Sequence, residues 1–209
     1  MQDESVISTP LIAWGVASRA LPGQVVSGDL HLIRPIADGV LAAVVDGLGH
    51  GDEASTAAET AIAVLESHAE EPLAALVRRC HEALTQTRGV VMTVATLRSF
   101  EDKLAWLGVG NVEAMLLRAD RQAKARSDRV LLRSGVVGYQ LPALRASTLP
   151  LAPDDLLILA TDGIDAGFAE GLVRSDSPQQ LADRILEHHF KGYDDALVLV
   201  VRYLGTQHE

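Results

Sequence analysis

The chain has 209 residues, of which 48% are hydrophobic and 22% charged, as is usual for a soluble globular protein with a sizeable core. Its formal net charge is −10, from 18 basic and 28 acidic side chains, and no segment is rich in lysine and arginine. Nucleic acid and anionic membranes require a basic surface, so we expect neither as a main partner. The length predicts one domain over residues 1–209.

Cysteine content and the N-terminus indicate the compartment. Cys80 is the only cysteine, which excludes an intrachain disulfide and a cysteine-based zinc site. The first four residues are polar and acidic, unlike a secretory signal. No apolar run approaches the ~18 residues of a membrane span. We therefore expect a cytoplasmic protein, and we expect it to be a monomer.

Three strand patterns occupy the first part of the chain. Residues 11–20 read as a strand, and in residues 30–34 apolar and polar side chains alternate until Pro35, which we expect to end the strand. Residues 40–45 are apolar without a break, a pattern typical of a strand that is buried on both faces.

Three helices are predicted from their start signals and apolar spacing. Asp52 is a good N-cap for a helix with an alanine-rich face. Pro72 opens a second helix, in which apolar residues from Leu73 to Leu84 recur at helical spacing. Ser177 and Gln180 form a capping box at the start of a third helix.

The remaining strands come in runs, with the helices grouped between them. Residues 119–129 are polar and are expected to form an exposed loop, and a short strand is expected at 130–133. The other predicted strands are 91–97, 104–109, 112–117, 156–160 and 196–201. This grouping favours antiparallel sheets covered by helices, which is an α+β layered sandwich.

Aspartates stand at the ends of several predicted strands. Asp46 and Asp162 each follow an unbroken apolar run and precede a glycine, whereas Asp29 and the pair Asp194 and Asp195 precede strands. Antiparallel neighbours bring a strand start and a strand end to the same sheet edge. Carboxylate oxygens without cysteine ligands suit Mg²⁺ or Mn²⁺. Two such ions ~3.5–4 Å apart would orient a phosphoryl group for in-line attack by water.

Simpler interpretations of these aspartates stay open. Asp-Gly is a common turn dipeptide, so any one of these residues alone could be a turn or cap residue. The helix that starts after Gly51 could also bind phosphate at its N-terminus. The residues therefore predict a divalent-metal site without identifying the reaction.

The ordered motifs resemble those of PPM-type Ser/Thr phosphatases, in particular the SpoIIE-like bacterial branch. The matching motifs are Ser27-Gly28-Asp29, Asp46-Gly47-Leu48-Gly49-His50-Gly51, Thr161-Asp162-Gly163 and Asp194-Asp195. The resemblance covers residues 12–202 and includes Gly108-Val109-Gly110-Asn111. The compact form with Arg88-Gly89-Val90-Val91 is similar to the stressosome phosphatases of this branch.

The resemblance implies a four-layer αββα sandwich, two mainly antiparallel sheets flanked by helices, with a two-metal centre. Asp46 would bridge both ions, and the Gly47 carbonyl would bind one. The remaining implied ligands are Asp29 (directly or through water), Asp162, Asp194 and Asp195. With Mn²⁺ or Mg²⁺, such an enzyme hydrolyses phosphoserine or phosphothreonine by metal-activated water. The implied substrates are phosphorylated STAS-domain proteins of a stressosome.

The sequence departs from the family pattern at two points. Leu48 occupies the position at which eukaryotic type 2C members carry a proposed general-acid histidine. His50 could take that role or could simply pack at the helix start, and a metal-bound water could supply the proton instead. Arg19 and Arg34 are the candidates for a phosphate-binding arginine, and either could instead form a surface ion pair. These departures keep open a non-catalytic binding module of the same fold, and a hydrolase of small phosphate esters is a third reading.

Overall fold

The computed structural model describes residues 11–120 and 126–205, which form eleven strands and three helices. The strands are β1 (Ile12–Arg19), β2 (Asp29–Ile36), β3 (Gly39–Gly47), β4 (Val90–Arg98), β5 (Lys103–Val109), β6 (Glu113–Leu117), β7 (Ser127–Arg129), β8 (Leu132–Arg133), β9 (Ser147–Pro150), β10 (Leu156–Ala160) and β11 (Ala196–Tyr203). The helices are α1 (Asp52–Ser67), α2 (Leu73–Ala83) and α3 (Pro178–His189).

The strands divide into two sheets. Sheet I has the order β1-β11-β10-β6-β7, and its pairs are antiparallel. Sheet II has the order β2-β3-β4-β5-β8, with β9 also paired to β5, and its one parallel pair is β5 with β8. Because α1 and α2 lie between β3 and β4 in the chain, sheet II receives its helices from a single connection.

Three apolar clusters separate four layers. One cluster joins the two sheets, a second joins sheet II to α1 and α2, and a third joins sheet I to α3. Burial on both faces of β3 explains the unbroken apolar run over residues 40–45. Ala42 and Val44 face sheet I, whereas Ala43 and Val45 face the helices, so both faces are buried. The predicted α+β fold, an αββα sandwich of mainly antiparallel sheets, is confirmed.

Glycine allows α1 to approach the end of β3 closely. A Cβ atom on Gly47 would lie 2.1 Å from the carbonyl oxygen of Ala54, so no other residue fits there without displacing the helix. Ala54, Ala57, Ala58 and Ala61 of α1 are buried, in agreement with the predicted alanine face. This close contact fixes the turn that follows Asp46.

Two local predictions are wrong, each for a physical reason. Pro35 lies inside β2 instead of ending it, and this is possible because β2 is an edge strand, paired only with β3. Asp52 is the first residue of α1, not its N-cap. The N-cap is Gly51, which has a φ of 76° and makes no side-chain capping bond. The capping box at Ser177 and Gln180 is confirmed.

Short polar edge strands account for the other differences. Within the predicted loop 119–129, residues 127–129 form β7 against β6, and residues 121–125 lie outside the described part of the chain. The short strand expected at 130–133 is reduced to β8, and β9 was not predicted at all. The N-terminal segment that bears on the absence of a secretory signal also lies outside the described residues. None of the described helices is long and apolar enough to cross a membrane.

Candidate functional site

The register of β2 and β3 places Asp29 directly opposite Asp46. The two strands pair from Asp29 with Asp46 to Ile36 with Gly39. Asp29 is the first residue of β2 and Asp46 is the penultimate residue of β3, so both lie at one edge of sheet II. Asp29 is 4% exposed, and Asp46 is half-buried. Two carboxylates directly opposite each other in a sheet repel, so this pair requires a proton or a cation.

Sheet I brings its own aspartates to the same edge. Asp162 lies two residues after the end of β10, and Asp194 lies two residues before β11, the neighbour of β10. The Thr161 hydroxyl donates a hydrogen bond of 2.7 Å to Oδ2 of Asp29, which links the two sheets at this point. The predicted meeting of strand starts and strand ends is therefore present for Asp29, Asp46, Asp162 and Asp194.

Burial and mutual repulsion change the acidity of the cluster. Burial, followed by repulsion from Asp29 and the aspartates of sheet I, raises the pKa of Asp46 to about 9. Burial also raises the pKa of Asp29 to about 7, although the hydrogen bond from Thr161 acts in the opposite direction. Without a compensating cation, these two groups retain protons well above the usual range of a carboxyl group.

Asp162 has two polar neighbours that sequence reasoning did not assign. Asn111 Nδ2 donates to Asp162 Oδ2 at 2.7 Å, and Lys191 Nζ donates to the Asp162 carbonyl oxygen at 2.7 Å. Burial and then Asp194 raise the pKa of Asp162, while Lys191 and Asn111 lower it. A Gly-Asn turn between two strands was a usable signal for Asn111. Lys191 lies in the loop after α3 and carried no such signal.

The side chains of Asp194 and Asp195 lie in different environments. Asp195 is 3% exposed, and its two carboxylate oxygens accept hydrogen bonds from the backbone amides of Leu21 (2.6 Å) and Gly28 (2.7 Å). Asp194 Oδ1 accepts a bond from the Asp195 amide at 2.9 Å, and Asp194 lines an open cleft. Asp195 thus holds the loop of residues 21–28, while Asp194 faces the cleft.

The cleft at this edge has a volume of about 340 Å³. Its acidic part contains Asp46, Asp162 and Asp194. The other lining residues are Leu21, Leu48, Gly49, His50, Val91, Asn111 and Tyr193. The cleft therefore combines a cluster of carboxylates with an apolar wall, and it is large enough for a phosphorylated side chain.

The residues that depart from the family pattern have clear positions. Leu48 is half-buried and packs against the apolar cluster between the sheets, which explains an apolar residue there. His50 is exposed at the cleft. Arg19 lies over the ring of Phe190 at 5.0 Å, and Arg34 is exposed on β2. Neither arginine lines the cleft, so the structure gives no support to either as a phosphate ligand.

The carboxylates are gathered but not yet arranged around an ion. In the described part of the chain, no group of three or more acidic, histidine or cysteine side chains is positioned to hold one metal. Asp29, Asp162 and Asp195 each turn toward a hydrogen-bond donor. A set of oxygen donors whose pKa values are raised by burial and by mutual repulsion nevertheless fits a hard divalent cation. The assignment of individual ligands stays a prediction.

The chain is similar to three known proteins or structures over most of its length. It is 21% identical to the phosphoserine phosphatase RsbX of Bacillus subtilis (strain 168) over 174 residues, which cover 83% of this chain and 85% of that protein. A chain solved in a study of the bacterial stressosome, as a modular system adapted to control secondary messenger signalling, is 29% identical, with a TM-score of 0.82. That match covers 91% of this chain and 99% of the other.

A crystal structure of RsbX in complex with magnesium has the same fold. It is 20% identical to this chain, with a TM-score of 0.79, and the match covers 92% of this chain and 95% of RsbX. The sandwich with acidic strand ends at one edge is thus the fold of PPM-type phosphatases. The family model of stage II sporulation protein E (SpoIIE) matches residues 37–204. The chain belongs to the SpoIIE family of PPM-type phosphatases, and the resemblance seen in the motifs is confirmed.

Proposed function

We propose that this phosphatase removes phosphate from serine or threonine residues of stressosome proteins, using divalent ions held by Asp46, Asp162 and Asp194. The observation that carries the proposal is the meeting of aspartates from both sheets at one cleft. Burial, together with repulsion among these groups, raises the pKa of Asp46 and Asp29, and a bound cation would relieve this electrostatic cost.

The donor set suits Mn²⁺ or Mg²⁺, and we propose two ions. Asp46 would be shared between them, as the resemblance to the family implies. The Gly47 carbonyl would contribute to one ion. Asp29 would act directly or through water, and we keep Asp195 as the least direct member of the set. Divalent ions bound here would activate water and offset the negative charge of the phosphoryl oxygens.

The protein's own residues account for the remaining steps. The apolar wall of the cleft would exclude bulk water from the ester. The phosphorus–oxygen bond to the attacking water forms as the bond to the serine or threonine oxygen breaks, and that oxygen must take up a proton. His50 is exposed at the cleft and would supply this proton as the general acid.

The proposed substrates are phosphorylated STAS-domain proteins, acted on in the cytoplasm by a monomer in which residues 1–209 form one domain. Support comes from the similarity to a chain solved in a study of the bacterial stressosome, with 99% of that chain covered. The net charge of −10 does not suit nucleic acid or an anionic membrane as a partner.

The first test is the variant Asp46→Asn. We expect it to lower Mn²⁺-dependent phosphate release from a phosphorylated STAS-domain protein by at least about a hundredfold, because the shared charge is lost. Asp183→Asn is the matched control, since Asp183 is exposed on α3 and does not line the cleft. Full activity of Asp46→Asn in Mn²⁺ contradicts the proposal.

A second function is a binding module of the same fold without turnover. It is favoured by Leu48 at the usual histidine position and by the location of Arg19 and Arg34 away from the cleft. Isothermal titration calorimetry separates the two functions. A binding module would bind the phosphorylated partner without binding millimolar Mn²⁺, whereas the phosphatase binds the metal.

A further inference from the structure

One large aromatic side chain stands open at the cleft. Tyr193 is 70% exposed and lines the cleft beside Asp194, the next residue in the chain. Within the described residues its hydroxyl makes no hydrogen bond, and its ring makes no aromatic contact. A tyrosine in this state has apolar surface and a polar tip available to a ligand.

The backbone on both sides of Tyr193 is held in place. On one side, the Lys191 amide donates to the Gly163 carbonyl at 2.9 Å, and Lys191 Nζ donates to the Asp162 carbonyl. On the other side, Asp195 binds the amides of Leu21 and Gly28. The side chain of Tyr193 is therefore presented from a fixed base, which reduces the entropy lost when it makes a contact.

Leu21 adds apolar surface to the cleft that Tyr193 lines. Its backbone amide lies 2.6 Å from Oδ1 of Asp195, and its side chain is half-buried in the cleft wall. Asp46, Asp162 and Asp194 form the acidic part of the same cleft. A phosphorylated residue that places its phosphate near these carboxylates and their ions would bring the neighbouring residue of its chain to Tyr193 and Leu21.

We propose that Tyr193 is a specificity-determining residue, which contacts an apolar side chain adjacent to the phosphorylated serine or threonine of the substrate. This inference rests on the proposed phosphatase function and adds a sequence preference to it. Charged neighbours would be disfavoured, because their charge would be desolvated against the tyrosine ring and Leu21.

The test compares two decapeptides with a central phosphoserine, flanked on both sides either by leucine or by alanine. We expect the wild-type protein in Mn²⁺ to prefer the leucine peptide by about tenfold in kcat/KM, mainly through KM. Tyr193→Ala should remove this preference by raising KM for the leucine peptide to the value for the alanine peptide. Tyr139→Ala is the matched control, since Tyr139 is 82% exposed and lies outside the cleft lining.

The outcomes separate the inference from the function on which it rests. Equal use of both peptides by the wild type, or an undiminished preference in Tyr193→Ala, overturns the role of Tyr193 while the phosphatase function stands. A wild-type protein that releases no phosphate from either peptide or from a phosphorylated STAS-domain protein overturns both. An unchanged melting temperature of Tyr193→Ala shows that any loss of preference reflects contact and not folding.

Discussion

Two adjacent aspartates have different surroundings, and this difference exists only at the scale of single residues. Asp194 faces the cleft, whereas both oxygens of Asp195 are occupied by the amides of Leu21 and Gly28. Those amides are separated from Asp195 by 174 and 167 positions in the chain. The sequence presents an undifferentiated Asp-Asp pair, because the partner that distinguishes its members comes from the other end of the chain.

Substitution of Asp194 should affect mainly metal binding, whereas substitution of Asp195 should affect mainly stability. Asp194→Asn is expected to weaken Mg²⁺ binding at least about tenfold by calorimetry, because it removes a charge at the cleft. Asp195→Asn leaves one acceptor oxygen for two buried amides, so we expect the free energy of unfolding in urea to fall by about 1–3 kcal/mol. Its Mg²⁺ affinity should change less than about threefold. A folded Asp195→Asn protein that no longer binds Mg²⁺ would place Asp195 among the ligands.

At the scale of elements, close approach between strand and helix depends on a few glycines. Gly15 of β1 lies under the start of α3, where an added Cβ atom would be 2.3 Å from the Gln179 amide nitrogen. The side chain of Gln179 also bonds to the backbone amide and carbonyl of Val16, at 3.1 and 2.8 Å. The helix thus packs on β1 and also satisfies part of the free edge of that strand.

Gly15→Ala should therefore lower stability. The new methyl group must displace the backbone of α3, and we expect a loss of about 1–3 kcal/mol in urea-induced unfolding. Gly167→Ala is the control, since a Cβ atom there has no neighbour within 4 Å. Equal stability of Gly15→Ala and wild type would show that α3 does not pack on β1 as described.

The strands differ in how well the sequence predicts them. The strands β3, β10 and β11 were predictable because both faces are buried and each contains a long unbroken apolar run. The edge strands β7 and β9 are short, polar and half-exposed, so their pairing is fixed by neighbours and not by pattern.

For the site, the position of Asp46 and Asp162 at strand ends followed from the residues themselves. The expected division of ligand roles came from the resemblance to a family. The hydrogen bonds of Asn111 and Lys191 to Asp162 and the exposure of Tyr193 required the tertiary structure, because each depends on residues far apart in the chain.

At the scale of the whole molecule, the aspartates clustered at the cleft affect how stability depends on pH. In the unfolded chain an aspartate has a pKa of about 3.9. The folded, metal-free protein holds protons on Asp29 up to a pKa of about 7 and on Asp46 up to a pKa of about 9. Between the pKa of an unfolded aspartate and these raised pKa values, the folded state binds more protons than the unfolded state. These groups therefore make the free energy of unfolding fall as the pH rises.

We therefore expect the melting temperature in EDTA to decrease from pH 6 to pH 9, and saturating Mg²⁺ to raise it more at pH 9 than at pH 6. Asp46→Asn should show a smaller decrease in EDTA, since it removes the group with the higher pKa. Differential scanning fluorimetry measures all four conditions for each protein. If the wild-type melting temperature depends on pH no more steeply than that of Asp46→Asn, Asp46 does not have a raised pKa in the folded protein.

The bond from Thr161 to Asp29 joins the ends of two sheets whose facing surfaces are filled by a separate apolar layer. Two of the four clustered aspartates belong to each sheet, so the distance between the pairs is set by the thickness of that layer. Trp106, which is 2% exposed within it, helps to determine this thickness from a position outside the cleft lining. Substitutions among the side chains of this layer would change the distance between the two pairs of aspartates. They would thereby change the affinity for an ion without replacing any acidic residue.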